Sequence, residues 1–185
     1  MAHRPMRITT RELTDPAAIN RILLANHIIR IAFYDEDIGF PYIVPINYGY
    51  EYDLASGKLT FYVHCAKDGR KLDILRKNNR VAFEIDESWG LRQTESACKW
   101  GLNFNSVVGE GYISIIDDEN DVEKKRGLDI IMVKHGRFQD LNYSPESYKR
   151  TTILKLEVER FTVKVYRDRT VPTEESGLMP RSAEK

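Results

Sequence analysis

The sequence predicts a mainly β fold of the α+β type, with six antiparallel strands in a small barrel and helices outside it. Three features carry this expectation. β-Rich runs recur along the chain, turn-forming clusters such as Asp35-Glu36-Asp37-Ile38-Gly39 and Asp53-Leu54-Ala55-Ser56-Gly57 join them at hairpin spacing, and helical patterning of any length is confined to a few segments. Closure is the economical arrangement, because a barrel leaves no sheet edge exposed. At 185 residues the chain is about the size of one domain and long enough to bury a substantial core.

Thr14-Asp15-Pro16 starts the first helix: a capping side chain precedes a proline whose missing N–H is no loss in the first turn. Ile19, Ile22 and Leu23 supply its apolar stripe, and it is expected to reach about Asn26. Strands at 27–34 and 40–52 form a hairpin, and a third at 58–64 extends it to a meander. A short helix opened by Asp68 follows at 68–78, then a strand at 80–86 and an irregular polar stretch at 88–99. A long strand is expected at 100–117, bent or bulged at Gly109 or Gly111. The second substantial helix, 119–135, places Glu119, Asp121 and Glu123 at its start and Lys134 and His135 at its end, as the helix macrodipole favours. A helical turn at 146–149 and a last strand at 151–166 complete the domain, and the polar, proline-containing end reads as a disordered tail.

The 68–78 helix breaks the charge order that the 119–135 helix obeys. Arg70 and Lys71 fall in its first turn, where cations oppose the dipole by roughly 0.3 to 1 kcal/mol each when exposed. A phosphate held between them and the free backbone N–H groups would turn that conflict into a binding site, and Gly69 would let the ligand approach the backbone closely. The alternative is two long side chains pointing into water. A second irregularity is Pro41-Tyr42-Ile43-Val44-Pro45-Ile46-Asn47-Tyr48, a strand with two prolines that cannot donate to a ladder. Such a strand suits either an ordinary bulge or an edge lined by a flat heteroaromatic ring.

Bulk composition narrows the function. Lys plus Arg and Asp plus Glu each number 28, so no global field attracts nucleic acid or an acidic membrane surface, and an anion site must be local. Cys65 and Cys98 form neither a metal-ligand spacing nor a disulfide framework, and His3, His27, His64 and His135 are scattered singly, which gives metal binding no support. No signal peptide or membrane-length apolar run occurs, so a cytoplasmic protein is expected. His64 ends an alternating strand; it is either an acid–base group near a ligand or a rim side chain held by hydrogen bonds.

Four segments in register carry a family resemblance: Pro41 to Asn47, Phe61 to Asp73, Ala97-Cys98-Lys99-Trp100, and Ser106-Val107-Val108-Gly109-Glu110-Gly111. In order and spacing from about Ile8 to Arg167, the chain resembles the pyridoxamine 5′-phosphate oxidase-like FMN-binding split-barrel proteins, and within them the nitroimidazole-resistance (nitroimidazole reductase) branch. The resemblance implies a six-stranded antiparallel split β-barrel over 8–168, leaving 169–185 as the tail. It implies FMN, with the phosphate on Arg70 and Lys71, the ring along Val44, Pro45, Ile46 and Asn47, and Val63 and His64 flanking the ribityl chain or ring. It places Ser106, Val107 and Gly109 near the cofactor, from the partner subunit of a homodimer with FMN at its interface, and gives Trp100 an interface or core packing role. The implied activity is that of an FMN-dependent oxidoreductase passing electrons to a small planar acceptor such as a nitroaromatic, with NAD(P)H as a candidate donor and His64 as a candidate catalytic group. A non-catalytic protein that binds, stores or senses FMN or a related ligand is the competing reading. The chain lacks the basic C-terminal pattern that grips pyridoxal phosphate in the authentic oxidase, so vitamin B6 oxidation is not implied.

Overall fold

A computed structural model describes residues 6–139 and 141–167. The expected tail at 169–185 and His3 lie outside the described residues. The described residues form four α-helices and seven strands, in chain order α1 Pro16–Ala25, β1 Ile28–Asp35, β2 Phe40–Asn47, β3 Gly49–Tyr52, β4 Leu59–Ala66, α2 Arg70–Lys77, β5 Arg80–Arg92, β6 Gly101–Ile116, α3 Asp121–Lys134, α4 Pro145–Arg150 and β7 Thr151–Tyr166. The strands follow the order β2-β1-β5-β6-β7-β4-β3. The described residues divide into two compact units, one of 27–84, 109–139 and 141–161, the other of 6–26, 85–108 and 162–167.

In the first of these units, β1 alternates buried Ile29, Ile31 and Phe33 with outward residues and pairs antiparallel with both β2 and β5. The strand expected at 40–52 is two strands, which raises the count from six to seven. β2 and β3 are separated by Tyr48 alone yet lie at opposite ends of the strand order. One residue cannot span a flat seven-stranded sheet whose strands are about 4.8 Å apart, so the sheet curls until its two ends meet at Tyr48. Tyr48 is fully buried there, edge-on to Phe61 at 5.3 Å, and Phe61 is edge-on to Phe83 at 5.1 Å. Each such aromatic pair adds about 0.5 to 1.5 kcal/mol beyond area burial.

Helix α3 covers the other face of β4, where Leu128 and Ile131 pack with Tyr62, Ile116 and Ile153. Two glycines let it come close. A Cβ on Gly49 would lie 2.6 Å from the Ile131 backbone nitrogen, and one on Gly127 would lie 2.9 Å from Ile153. Close approach also accounts for Gly109 and Gly111: a Cβ on Gly109 would meet the Arg160 carbonyl and the Phe83 ring at 2.6 Å, and one on Gly111 would overlap the Glu157 carbonyl.

In the second unit, α1 is capped by Asp15, whose carboxylate accepts from the Ala17 N–H, and buries Ile19, Ile22 and Leu23. Asn26 donates to the Ile22 carbonyl at 2.9 Å and to Asn105 at 3.3 Å. The Arg11 guanidinium lies 4.3 Å from the Tyr166 ring centroid. Strand β5 runs to Arg92, into the stretch expected to be irregular, with Trp89 buried on it. Trp100 is 50% exposed, and its indole N–H closes the preceding loop on the Thr94 carbonyl at 2.7 Å, so it is no core residue in this structure. Among the described residues, no helix is long and apolar enough to cross a membrane.

Gly49→Ala is expected to cost about 3 kcal/mol, because the added methyl meets backbone that cannot yield. Gly57→Ala, at a left-handed but open turn position with φ +74, is expected to cost about 1 kcal/mol. Urea unfolding of the two variants measures the difference.

Candidate functional site

Helix α2 begins at Arg70, not at Asp68. Its cap is Gly69, at φ 121 and ψ 160, a conformation open to glycine, and no side chain caps its first N–H groups. The other three α-helices among the described residues are each capped by a side chain, Asp15, Asn120 and Ser144 respectively. The Leu72 and Asp73 N–H groups donate to the Gly69 carbonyl at 2.9 and 3.3 Å, so the first turn of α2 presents the N–H groups of Arg70 and Lys71 together with their side-chain cations, and the space beside Gly69 is open. Arg70 is held rather than free: Nε and Nη2 donate to Asp35 Oδ2 at 3.0 and 2.9 Å, and the guanidinium lies 4.6 Å from the centroid of the Tyr42 ring. Lys71 is half-buried, and its charge opposes the rise that burial imposes on the Cys65 thiol pKa.

β2 is a terminal strand in the order, with Pro41 opposite Tyr34 and Pro45 opposite Arg30. In a regular antiparallel ladder the N–H and C=O of one residue point the same way, so the prolines sit where the backbone turns away from β1. That outward edge carries carbonyls at Pro41, Ile43, Pro45 and Asn47 but N–H donors only at Ile43 and Asn47. Val44, Ile46 and Asn47 are half-buried and Pro45 is exposed.

Tyr42 lies near the start of β2; just past its end is Tyr48, where a group of bases gathers. Lys134 Nζ lies 4.5 Å from the Tyr48 ring centroid, and burial lowers its pKa to about 8. His135, at the C-cap of α3, stacks on His27 with ring centroids 5.6 Å apart and hydrogen-bonds the Tyr48 backbone. Burial holds the His135 imidazole below its ordinary value, and the nearby charges of Lys134, His27 and His64 add to the effect. His64 reaches solvent from β4, yet desolvation holds its imidazole below the ordinary value and so favours the neutral form.

Val63 is buried beside His64, and Gly109 belongs to the same unit, where packing against Arg160 and Phe83 accounts for it. Half-buried Ser106 and buried Val107 belong to the other unit. Sequence reasoning passed over Asp35 and Tyr42 as site residues, and took Lys134 and His135 only as ordinary helix-end cations. It also missed a charged cross-link around Tyr62. Arg126 donates to Tyr62 Oη at 2.9 Å and to Glu51 at 2.6 Å, and Lys155 to Glu123 at 2.8 Å, beside a cavity of about 260 Å³. Among the described residues no cluster of three or more His, Cys, Asp or Glu could hold a metal.

A family profile described as pyridoxamine 5′-phosphate oxidase matches residues 15–165. The chain belongs to the pyridoxamine 5′-phosphate oxidase family. Among solved structures of similar fold is a candidate 5-nitroimidazole antibiotic resistance protein from Bacteroides thetaiotaomicron, with 29% identity over 83% of this chain and 86% of that one and a TM-score of 0.68. The flavocytochrome Anf3 from Azotobacter vinelandii matches at 22% identity over 89% and 73%, with a TM-score of 0.67. An FAD and heme binding protein from Mycobacterium smegmatis matches at 18% over 85% and 74%, with a TM-score of 0.72. The last two share the fold, and the split barrel expected from the sequence is the architecture of these neighbours. None of the curated proteins compared matches the chain.

Within this family member, the Lys134 environment has a measurable signature. The folded chain holds Lys134 near 8 while the unfolded chain keeps it near 10.5. Between those values the unfolded state binds more protons, so this group makes stability rise with pH across the window. Lys134→Met is expected to flatten that rise, measured by urea unfolding at pH about 7 and about 10.

Proposed function

We propose that this chain is an FMN-dependent oxidoreductase resembling nitroimidazole reductases, in which reduced flavin passes electrons to a small planar acceptor such as a nitroaromatic. The observation that carries the reading is the start of α2: the one α-helix without a side-chain cap among the described residues places two cations where the dipole disfavours them. An FMN phosphate held there would accept from the N–H groups of Arg70 and Lys71 and remove the conflict. Family membership and a neighbour concerned with 5-nitroimidazole resistance support the same reading, as do neighbours described as a flavocytochrome and as an FAD and heme binding protein.

The residues fit the group. Arg70 and Lys71 would hold the phosphate, and the outward edge of β2, with acceptors at Pro41, Ile43, Pro45 and Asn47 and donors at Ile43 and Asn47, would meet the polar rim of the ring. Val63 and His64 would flank it, and neutral His64 would accept or return a proton at a bound acceptor. Bound flavin supplies the redox chemistry itself. Ser106, Val107 and Gly109 would complete the site from the partner of a homodimer, and NAD(P)H would supply electrons.

The purified protein is expected to show flavin absorbance and to release FMN on denaturation. Replacing both Arg70 and Lys71 by Ala is expected to weaken FMN roughly 100-fold while leaving riboflavin, which has no phosphate, nearly unchanged. Equal loss for both flavins, or none for either, places the phosphate elsewhere. With a reductant present, the FMN-loaded protein should reduce nitroimidazoles, quinones or free flavins. Tight FMN binding without turnover of any of them would favour a storage or sensing protein and remove the enzymatic claim.

A further inference from the structure

We propose that Asp35 is a positioning residue for the phosphate site, fixing the Arg70 guanidinium so that its remaining donors are available to a phosphate. The inference rests on the assignment of the FMN phosphate to Arg70 and Lys71.

Asp35 ends β1 and is 7% exposed, whereas the Arg70 side chain is 47% exposed. A partly exposed arginine would sample many rotamers, but this one is gripped along one edge. Asp35 Oδ2 accepts from both Nε and Nη2, at 3.0 and 2.9 Å, and Tyr42 covers one guanidinium face at 4.6 Å. The Nη1 donors and the second Nη2 donor have no protein partner among the described residues, so one edge of the fork is committed and the other is free. The carboxylate is itself fixed. Its Oδ1 accepts from the Asp37 N–H at 3.1 Å, and the Asp35 carbonyl accepts from the Gly39 N–H at 2.9 Å, so the β1–β2 turn holds the group that holds Arg70.

Positioning and plain charge make opposite predictions. Asp35 is an anion beside the site assigned to an anion. By Coulomb's law alone its removal should tighten FMN binding. If its role is to orient Arg70, removal should loosen FMN binding despite the relieved repulsion.

The test measures FMN and riboflavin affinity by flavin fluorescence for the full chain and for Asp35→Asn, whose amide oxygen can still serve the Asp37 N–H. The expected result is a wild-type preference for FMN over riboflavin, a rise of about tenfold in the FMN dissociation constant of Asp35→Asn, and no change for riboflavin. In an Arg70→Ala background, Asp35→Asn should cause no further loss. Asp37→Asn, which removes a neighbouring carboxylate that pairs with Lys77 and not with Arg70, should leave the preference unchanged. If Asp35→Asn does not fold, as judged by its circular dichroism and melting, Asp35→Glu shifts the carboxylate by one methylene and should show the same selective loss. Undiminished or tighter FMN binding by a folded Asp35 variant, with wild-type preference intact, would overturn the proposal. A wild-type protein that binds FMN no better than riboflavin would instead overturn the phosphate assignment on which it rests.

Discussion

The passage of the chain from one end of the sheet to the other through a single residue constrains everything else in the larger unit. Tyr48 can join β2 to β3 only if the sheet rolls up around it, and it stays buried only if Phe61 and Phe83 fill the interior beside it. Gly49 follows because the return strand must begin directly beneath the backbone of α3. The seating of α3 then fixes the height of its C-terminal end, which brings Lys134 and His135 to Tyr48 and sets the low-dielectric surroundings that depress their pKa values.

The same junction leaves β2 bare on one side. Its hairpin partner β1 ends in Asp35, the turn closes on that residue, and Asp35 reaches across to the first residue of α2. Thus an uncapped helix start, a terminal strand and a tethered arginine are consequences of connected geometry. The bases near Tyr48 lie beyond the other end of the strand, about 20 Å from Tyr42 at the usual rise per residue. The strand therefore runs between two basic regions of different character, one built on a fork with a fixed orientation and the other on a half-buried amine and exposed imidazoles.

The sequence exposed what local chemistry governs. The β-rich run at 27–34 marked β1, the Asp15-Pro16 pair marked α1, and the cations at Arg70 and Lys71 were visible because they contradict a rule that α3 obeys. Pairings across large separations left no local trace. Nothing near Asp35 points to an arginine 35 positions later, and aromatic residues on both sides of Gly49 carry the β-rich run from 40 to 52, so the break between β2 and β3 was concealed. Lys134 and His135 were misleading in a different way: a conventional place at a helix end hid their second environment. Strand β5 continued through polar residues because pairing, not composition, sustains it.

The prolines of β2 have a consequence for what can approach that strand. A polypeptide adding itself to a sheet edge needs donors and acceptors in regular succession along several residues. Here the succession is broken at Pro41 and Pro45, leaving N–H groups at Ile43 and Asn47 about 13 Å apart in a row otherwise made of carbonyls. Such an edge would pair poorly with another extended chain while remaining well matched to a compact molecule whose hydrogen-bonding groups are few and fixed. The strand thereby discourages peptide addition along the surface it leaves open.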